Sequence, residues 1–432
     1  MRFSRLLRTA CLMLLVGSFG FAASLLGAAP ASAQSADAPA EAPHRLYVCN
    51  QGEATVSVIN METNAVETVV DLTELGFSEN ASPHHAIAEP DGSAWYVSLI
   101  SENTVLKFNA DNELVSQASM QAPGLLAVHP TENYLFAAHS MKAVNPPQRI
   151  GMMPRDDLSA IEQVDVFLDR PHAIAIPRSG DFVYVGSLAT NQLMGLNART
   201  QRGEITPLSG PTHVMVQMAV SPTSNTVIGT GQMTGQLLFF TREANGALTP
   251  DTSITVGAQP WHPVYSPDGS RLYVPNKQSN SISVVDAEAR TVVETITHPS
   301  LVQPHGSALS ANGRYLYVSN NHRQMQMDMG GNGDMDADMN HDGDMEHGDM
   351  EHGDMEHGDM EHGDMHDSGD HDAMHDDMPA DMHNTDNAAM DASMMPSGNN
   401  GTISVIDTES LQVVDVIEVG EYPTGIGTRA RP

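Results

Sequence analysis

The chain has 432 residues, of which 40% are hydrophobic and 5% aromatic, and its formal net charge is −34 at pH 7. Its length is typical of two or three domains, and its charge excludes a nucleic-acid binder that relies on a general basic surface. The acidity is concentrated, because residues 322–400 hold 22 of the 54 acidic residues, 16 of the 27 methionines and 10 of the 20 histidines. Residues 322–400 therefore differ sharply in composition from the rest of the chain.

The first 33 residues have the pattern of an export signal. Three arginines precede an apolar run at 11–26, and small residues at 31–33 would form the cleavage site. An uncleaved membrane anchor is the alternative, since 9–28 is nearly long enough to span a bilayer. After a linker at 34–43, we expect a periplasmic or secreted mature protein with no membrane span.

A unit of about 45 residues repeats through the rest of the chain and is clearest over 259–296. Each copy predicts four short strands: an apolar strand before a Pro-Asp-Gly turn, a Leu-Tyr-Val strand ending at Asn, a Ser-Val-Ile-Asp strand and a Val-Val-Glu-Thr strand. A four-stranded repeat of this period is typical of a propeller blade. The first strand recurs seven times, near His84, Gly124, His172, Val216, His262, His305 and Thr424.

The two ends of the repeat region complement each other. Residues 44–71 supply the second, third and fourth strands of a unit, and residues 422–428 supply a first strand without its followers. We therefore predict an all-β, seven-bladed propeller with four-stranded blades over 44–321 and 401–432, closed by one blade that the N- and C-terminal strands share. Cys49, the single cysteine left after signal removal, is expected to be a small strand residue.

Three segments resemble the Tyr-Val-Thr-Asn repeat of the YVTN family of bacterial seven-bladed propellers: Leu46–Asn50, Leu272–Asn276 and Leu316–Asn320. This resemblance covers nearly all of 44–321 and 401–428 and implies the propeller fold. Residues 237–249 are similar to one blade of the seven-bladed lactonases related to bacterial 6-phosphogluconolactonase. No catalytic set can be matched residue by residue, so this second resemblance implies shared ancestry more than shared chemistry.

Five of the predicted blades place histidine at or beside the entrance of the first strand. These entrances would ring one mouth of the central channel, where several imidazoles could bind a transition metal. The candidate ligands are His84, His85, His172, His213, His262 and His305. The propeller of nitrous oxide reductase is similar in using histidines for copper. The alternative is that each histidine only caps a strand, and alternation would turn His85 and His262 away from the others.

Residues 322–400 interrupt the blade that begins at Pro304, after its second strand, and their lack of apolar periodicity predicts disorder. Four tandem copies of Glu-His-Gly-Asp-Met occupy 346–365. Imidazole, thioether and carboxylate groups together suit copper in both redox states, so we expect several weak, exchanging copper sites. The candidate ligands are His347, Met350, His352, Met355, His357, Met360, His362, Met365 and His366. A neutral spacer is the alternative, and zinc, or calcium at the EF-hand-like spacing of 338–349, is less favoured than copper.

A second, smaller insertion is predicted at 139–160. It would fall between the second and third strands of its blade and would place Met141, Met152 and Met153 on the same face as the channel histidines.

The sequence is compatible with three functions. The first is an exported, monomeric, non-enzymatic propeller that binds metal ions through the insert and at the channel mouth. The second is an interaction platform for another exported or cell-surface protein, and the third is a lactonase-type hydrolase. The mature sequence contains neither Gly-x-Ser-x-Gly nor His-Glu-x-x-His, which favours a non-enzymatic protein over an enzyme.

Overall fold

The computed structural model describes residues 44–321 and 399–429, which belong to one compact unit. Their strands form seven antiparallel sheets of four strands each, numbered here as blades 1 to 7. Within these residues the one helix is a 3₁₀ turn at Thr73–Leu75, and no helix is long and apolar enough to cross a membrane.

The strands follow the predicted order in every blade. Blade 1 contains β28 (Pro423–Gly427), β1 (Arg45–Asn50), β2 (Thr55–Asn60) and β3 (Ala65–Asp71). Blade 2 contains β4 (Pro83–Ala88), β5 (Ala94–Leu99), β6 (Thr104–Asn109) and β7 (Leu114–Ser119). Blade 3 contains β8 (Pro123–Val128), β9 (Tyr134–His139), β10 (Arg149–Pro154) and β11 (Glu162–Asp165). Blade 4 contains β12 (Pro171–Ala175), β13 (Phe182–Ser187), β14 (Gln192–Asn197) and β15 (Gly203–Pro207).

The remaining three blades repeat this pattern. Blade 5 contains β16 (Met215–Val220), β17 (Thr226–Gly231), β18 (Gln236–Arg242) and β19 (Leu248–Thr255). Blade 6 contains β20 (Val264–Tyr265), β21 (Arg271–Asn276), β22 (Ser281–Asp286) and β23 (Thr291–Thr297). Blade 7 contains β24 (Pro304–Leu309), β25 (Tyr315–Asn320), β26 (Asn400–Asp407) and β27 (Gln412–Glu421). The first strand of each blade contacts the first strand of the next, so these seven strands line the central channel.

The ring is closed by pairing between the two ends of the chain, as predicted. β28 lies antiparallel to β1, with Tyr47 opposite Gly427 and Val48 opposite Ile426. Each first strand is the inner edge of its sheet, and closure encloses these seven short edges within the ring. Cys49 is fully buried in this blade, and burial raises the pKa of its thiol, in agreement with its expected packing role.

Aromatic residues pack neighbouring blades face to face. The ring of Trp95 in blade 2 stacks on Tyr47 of blade 1, with centroids 4.6 Å apart, and on Phe108 of its own blade at 4.2 Å. All three side chains are buried. Burying a side chain of this size stabilises a fold by roughly 2–3 kcal/mol, so contacts of this kind hold the blades in a rigid ring.

The asparagine that ends the second strand of the repeat has a structural role in three blades. Its buried side-chain amide donates to a serine hydroxyl on the third strand, and each such bond contributes about 1 kcal/mol. The three pairs are Asn50 with Ser57 (2.9 Å), Asn276 with Ser283 (3.0 Å) and Asn320 with Ser404 (2.9 Å). This contact explains why Asn and Ser recur together in the repeat.

One residue in each blade has a left-handed backbone ahead of the first strand, directly before it in six blades and five residues before it in blade 6. Their φ angles lie between 37° and 56°, and six of the seven precede a proline. The seven residues are Ser82, Ala122, Arg170, Val214, Gln259, Gln303 and Tyr422. A non-glycine residue in this region is held there by its surroundings. The repeated turn therefore sets the angle at which each chain segment enters the channel.

The smaller insertion was predicted wrongly. Residues 149–154 form β10, the third strand of blade 3, and only 140–148 form a loop. Met152 and Met153 are accordingly buried in the strand rather than placed on the channel face. The segment Ile150-Gly-Met-Met has few of the β-branched residues that are typical of the other third strands. Its sequence pattern therefore did not predict a strand.

Replacing Gly427 by Ala should destabilise the closing blade. A Cβ at this position of β28 would overlap the carbonyl oxygen of Ala86 in β4, and this backbone cannot move without disturbing the channel wall. We expect a loss of about 1–3 kcal/mol in urea unfolding. Val414→Ala, an exposed change in β27, should shift stability by less than about 0.5 kcal/mol. Equal stability of the two variants would contradict this packing.

Candidate functional site

Five histidines from four blades meet inside the channel. We call them the channel cluster: His84, His85, His172, His262 and His305. Their ring centroids are 6.2 Å apart for His84 and His172, 6.1 Å for His85 and His262, and 5.1 Å for His262 and His305. Each side chain is at most 8% exposed, so the imidazoles form a buried group.

Backbone irregularities allow all five rings to reach the same region. The pairing register of β4 shifts between Pro83 and His85, and that of β24 shifts between Pro304 and Ser307. The chain around His262 precedes β20, which begins only at Val264. A bulge reorients the side chains of a strand locally, so the expected separation of His85 and His262 from the others does not occur.

Hydrogen bonds define which nitrogen carries the proton in two of the rings. His172 Nδ1 donates to the carbonyl oxygen of His139 at 2.7 Å, and His84 Nδ1 donates to Oε1 of Gln51 at 3.4 Å. In a neutral imidazole the other nitrogen, Nε2, then carries a free lone pair.

Four buried nitrogens of the cluster have no hydrogen-bond partner among the described residues. They are Nε2 of His84, His172 and His262 and Nδ1 of His305. Leaving one such atom unpaired costs roughly 1–3 kcal/mol. Four of them in one place indicate that water or a ligand is needed to satisfy them.

His85 differs from the other members. Its Nδ1 accepts the backbone N–H of Leu126 at 3.2 Å, so the neutral ring carries its proton on Nε2. His85 therefore presents a hydrogen-bond donor at Nε2, whereas His84 and His172 present lone pairs at Nε2.

Burial keeps the whole cluster uncharged. Desolvation lowers the pKa of His85 and of His172 to about 4, and it lowers the pKa of His84, His262 and His305 well below the usual value. Mutual repulsion between the rings lowers these values further. At neutral pH the lone pairs are therefore available to an electrophile such as a metal ion.

Neighbouring rings lie close enough for two of them to bind one metal ion, but the side chains are not arranged around one. Among the described residues, no three His, Cys, Asp or Glu side chains form a ready metal site. Two imidazoles bound to one ion at about 2.0–2.1 Å place their centroids roughly 5–6 Å apart. The separations within the three neighbouring pairs, 5.1–6.2 Å, are close to this range.

The rim beside the cluster contains three residues that the sequence analysis did not single out. The ring of Trp261 stacks on His305 with centroids 4.3 Å apart. Lys277 lies over Trp261 and over Tyr422, and it donates to the hydroxyl oxygen of Tyr422 at 3.4 Å. The sequence could have indicated Trp261, because it directly precedes the candidate ligand His262. Lys277 and Tyr422 lie in other loops, and no local pattern connects them with His262.

The remaining predicted ligands lie elsewhere. His213 is buried beside β16, where its Nδ1 is 2.9 Å from Oγ1 of Thr234. The ligands predicted at 347–366 lie outside the described residues. The strands that flank residues 322–398 are described. Asn320, the last residue of β25, pairs with Pro304 at the start of β24 and with Thr402 near the start of β26. The chain therefore leaves β25 and rejoins β26 at the end of the ring where His305 enters.

The comparisons with known proteins agree with the fold. A family model described as "Lactonase, 7-bladed beta-propeller" matches residues 112–328, half of the chain. The chain belongs to this family of seven-bladed lactonase propellers.

Individual relatives are more distant. The uncharacterized protein YncE of Salmonella typhi is 41% identical over 56 residues, which is 13% of this chain and 15% of YncE. The periplasmic gluconolactonase of Pseudomonas aeruginosa has a TM-score of 0.58 at 16% identity, covering 90% of this chain and 99% of the enzyme. A functionally unknown protein of Desulfotomaculum acetoxidans has a TM-score of 0.59 at 11% identity, with coverage of 90% and 99%. These structural similarities show the fold alone.

The metal-free protein should lose stability as the pH falls from 7.5 to 5. The pKa of His172 is about 4 when folded and near 6.5 when unfolded, so the unfolded chain binds the proton first. The free energy of unfolding is therefore highest above pH 6.5 and decreases below it. Protonation of His172 alone lowers the free energy of unfolding by about 2 kcal/mol between neutral pH and pH 5.

Urea unfolding at several pH values measures this effect. His172→Asn is the matched variant, because its amide can donate to His139 without titrating in this range. It should show a shallower pH dependence than the parent protein. Identical slopes would contradict a buried, neutral His172.

Proposed function

We propose that this protein is an exported propeller that binds a transition metal, preferentially copper, at the channel cluster. The observation that carries the proposal is the set of four partnerless, neutral imidazole nitrogens. Imidazole suits copper, zinc, iron and nickel among the metals available to proteins. The proposed ligands are His84, His172, His262 and His305, with His85 as a supporting donor.

The Met/His/Asp-rich insert supports copper among these metals. It repeats thioether and imidazole groups together, and thioether selects Cu(I) over zinc and nickel. The flanking strands β25 and β26 attach it to the end of the ring that carries the channel cluster. In this proposal the insert captures copper ions in weak, exchanging sites, and the cluster holds one ion more firmly.

The proposed location follows from the N-terminal export pattern. A periplasmic or secreted protein would meet copper ions outside the reducing interior of the cell. We further propose that it acts as a monomer, since β1 and β28 of the same chain close the ring.

Metal analysis of three variants tests the proposal. Full-length protein, protein lacking Met325–Ser397, and the same deletion carrying His172→Ala and His262→Ala are purified from copper-supplemented cells. We expect several copper ions in the first, one in the second and none in the third, because the double change removes two of four ligands.

A matched control keeps the interpretation specific. His298→Ala and His129→Ala, placed in the deletion background, remove two histidines that lie outside the cluster and should leave the single copper in place. Unchanged copper after His172→Ala and His262→Ala would refute the channel site. Loss of all copper on deletion alone would leave the insert as the only binding region.

Lactone hydrolysis is the second candidate function, because the family match and the gluconolactonase similarity both favour it. The unpartnered nitrogens of the cluster are, however, almost inaccessible to solvent. A sugar lactone could not reach them without movement of the channel wall.

A pH-stat assay with gluconolactone and 6-phosphogluconolactone separates the two functions. We expect no hydrolysis above the spontaneous rate. A clear rate that His262→Ala abolishes would instead assign the channel to a lactonase.

A further inference from the structure

An arginine occupies the same position in blades 3 and 5. Arg155 directly follows β10 and Arg242 ends β18, the third strands of these blades. Their register is equivalent, because each comes one residue after the position that pairs with the start of the second strand. Each donates its backbone N–H to the carbonyl oxygen of an asparagine, Asn133 in blade 3 and Asn225 in blade 5. The two sites can therefore be compared within one chain.

Between blades 2 and 3 this arginine binds a carboxylate. Glu89, in the turn between β4 and β5, accepts a hydrogen bond from Nη1 of Arg155 through Oε2 at 2.6 Å. Its Oε1 accepts the hydroxyl proton of Tyr96 at 2.5 Å. The side chains of Arg155 and Glu89 are only 17% and 12% exposed. A largely buried carboxylate thus neutralises the arginine and satisfies the tyrosine.

Between blades 4 and 5 the sequence does not provide this carboxylate. Glu89 directly follows the last residue of β4 and precedes a proline, and Ile176 has the same place after β12. The residue after that proline changes sign as well, since Asp91 in blade 2 corresponds to Arg178 in blade 4. Two acidic positions of the turn are therefore replaced by an apolar residue and a cation.

The partners of the replaced carboxylate are still present in this second interface. Tyr184 is the third residue of β13, as Tyr96 is of β5, and its buried hydroxyl has no hydrogen-bond partner among the described residues. Burial raises the pKa of Tyr184, and the nearby cation of Arg242 acts in the opposite direction. Nη2 of Arg242 donates to Oδ1 of Asn225 at 3.2 Å. In the part of the chain that the structure describes, Arg242 makes no ion pair.

A cleft of about 320 Å³ opens at this interface. Arg178 and Arg242 both line it, and none of its described lining residues is acidic, although the chain has a net charge of −34. The remaining polar side chains of the lining carry hydroxyl or amide groups: Ser179, Ser221, Thr223, Ser224 and Asn225. Their donors and the two guanidinium groups make the cleft suitable for an anion.

The nearest carboxylates are directed to other partners or line another cleft. Asp268 approaches the lining through its backbone, whose carbonyl oxygen accepts from Thr223 at 3.5 Å. Its carboxylate accepts hydrogen bonds from Ser266 and Ser270 in its own turn. Asp181 lines the neighbouring cleft between blades 3 and 4. Neither carboxylate takes the place that Glu89 has between blades 2 and 3.

We propose that the cleft between blades 4 and 5 binds the carboxylate of a small aliphatic acid, in the position that Glu89 occupies between blades 2 and 3. Arg242 binds the carboxylate, the Tyr184 hydroxyl donates to it, and Arg178 adds a second positive charge at the opening. A cleft of this volume suits a small molecule, and no aromatic residue lines it. The turns that form it lie at the ends of the first strands, opposite the entrances that carry the channel cluster. The inference is therefore independent of the proposed metal function.

The test is calorimetric titration of the full-length protein with succinate at low ionic strength, after dialysis against EDTA. We expect one binding site. Arg242→Gln removes the cation that the carboxylate binds and should weaken succinate at least tenfold. Ile176→Glu provides the missing carboxylate within the chain, as Glu89 does in blade 2, and should abolish binding.

Two further variants set the scale. Arg178→Gln should weaken succinate only about threefold, because this side chain is exposed and a charge in water is strongly screened. Arg149→Gln is the control, since Arg149 is an exposed arginine of blade 3 that pairs with Asp165 at 2.5 Å. It should leave the affinity for succinate unchanged. If Ile176→Glu does not fold, as judged by urea unfolding, Arg242→Gln and its control decide the result.

Three outcomes would overturn the proposal. They are the absence of succinate binding to the parent protein, an affinity that Arg242→Gln does not change, and undiminished binding to a folded Ile176→Glu variant. Inorganic phosphate is titrated in parallel, and a site that takes phosphate but not succinate would also overturn the assignment to carboxylates. Because EDTA has removed bound metal, none of these results depends on the copper proposal.

Discussion

Closure of the ring by β1 and β28 is the constraint on which the rest of the structure depends. The pairing of Tyr47 with Gly427 brings the C-terminal strand into the first blade and places β28 against β4 and β24. With the ring closed, seven first strands surround one channel, and the residues at their entrances meet there. The close backbone approach at Gly427 shows how little space this arrangement leaves.

The position of the site within the fold follows from the strand entrances. Each first strand begins after a residue with left-handed backbone, six times before a proline, and in several blades a bulge follows. These repeated irregularities turn the histidines inward despite their unequal spacing from proline. The left-handed residues carry strain that a closed ring can hold, and such strain is common beside functional sites.

Much of the fold could be predicted from the sequence, because the repeat combines strand period, turn residues and the Asn–Ser contact in every clear copy. The seven first strands and the shared blade are confirmed. Blade 3 was predicted less well, since Ile150-Gly-Met-Met lacks the β-branched pattern of its counterparts. The match of residues 112–328 to the seven-bladed lactonase family agrees with the repeat-based prediction.

The candidate site was only partly predictable. The entrance histidines could be named from their positions after proline, but strand alternation wrongly separated His85 and His262 from the rest. The roles of individual nitrogens depend on contacts such as Leu126 with His85, which join residues distant in sequence. Lys277 and Tyr422 likewise come together through blades 6 and 1, and no local motif indicates that contact.

The most direct test of the account is a crystal of the copper-loaded protein measured at the copper absorption edge. The account predicts one strong anomalous peak inside the channel, within bonding distance of nitrogens from His84, His172, His262 and His305. A channel without such a peak, in crystals whose copper content is confirmed, would contradict it.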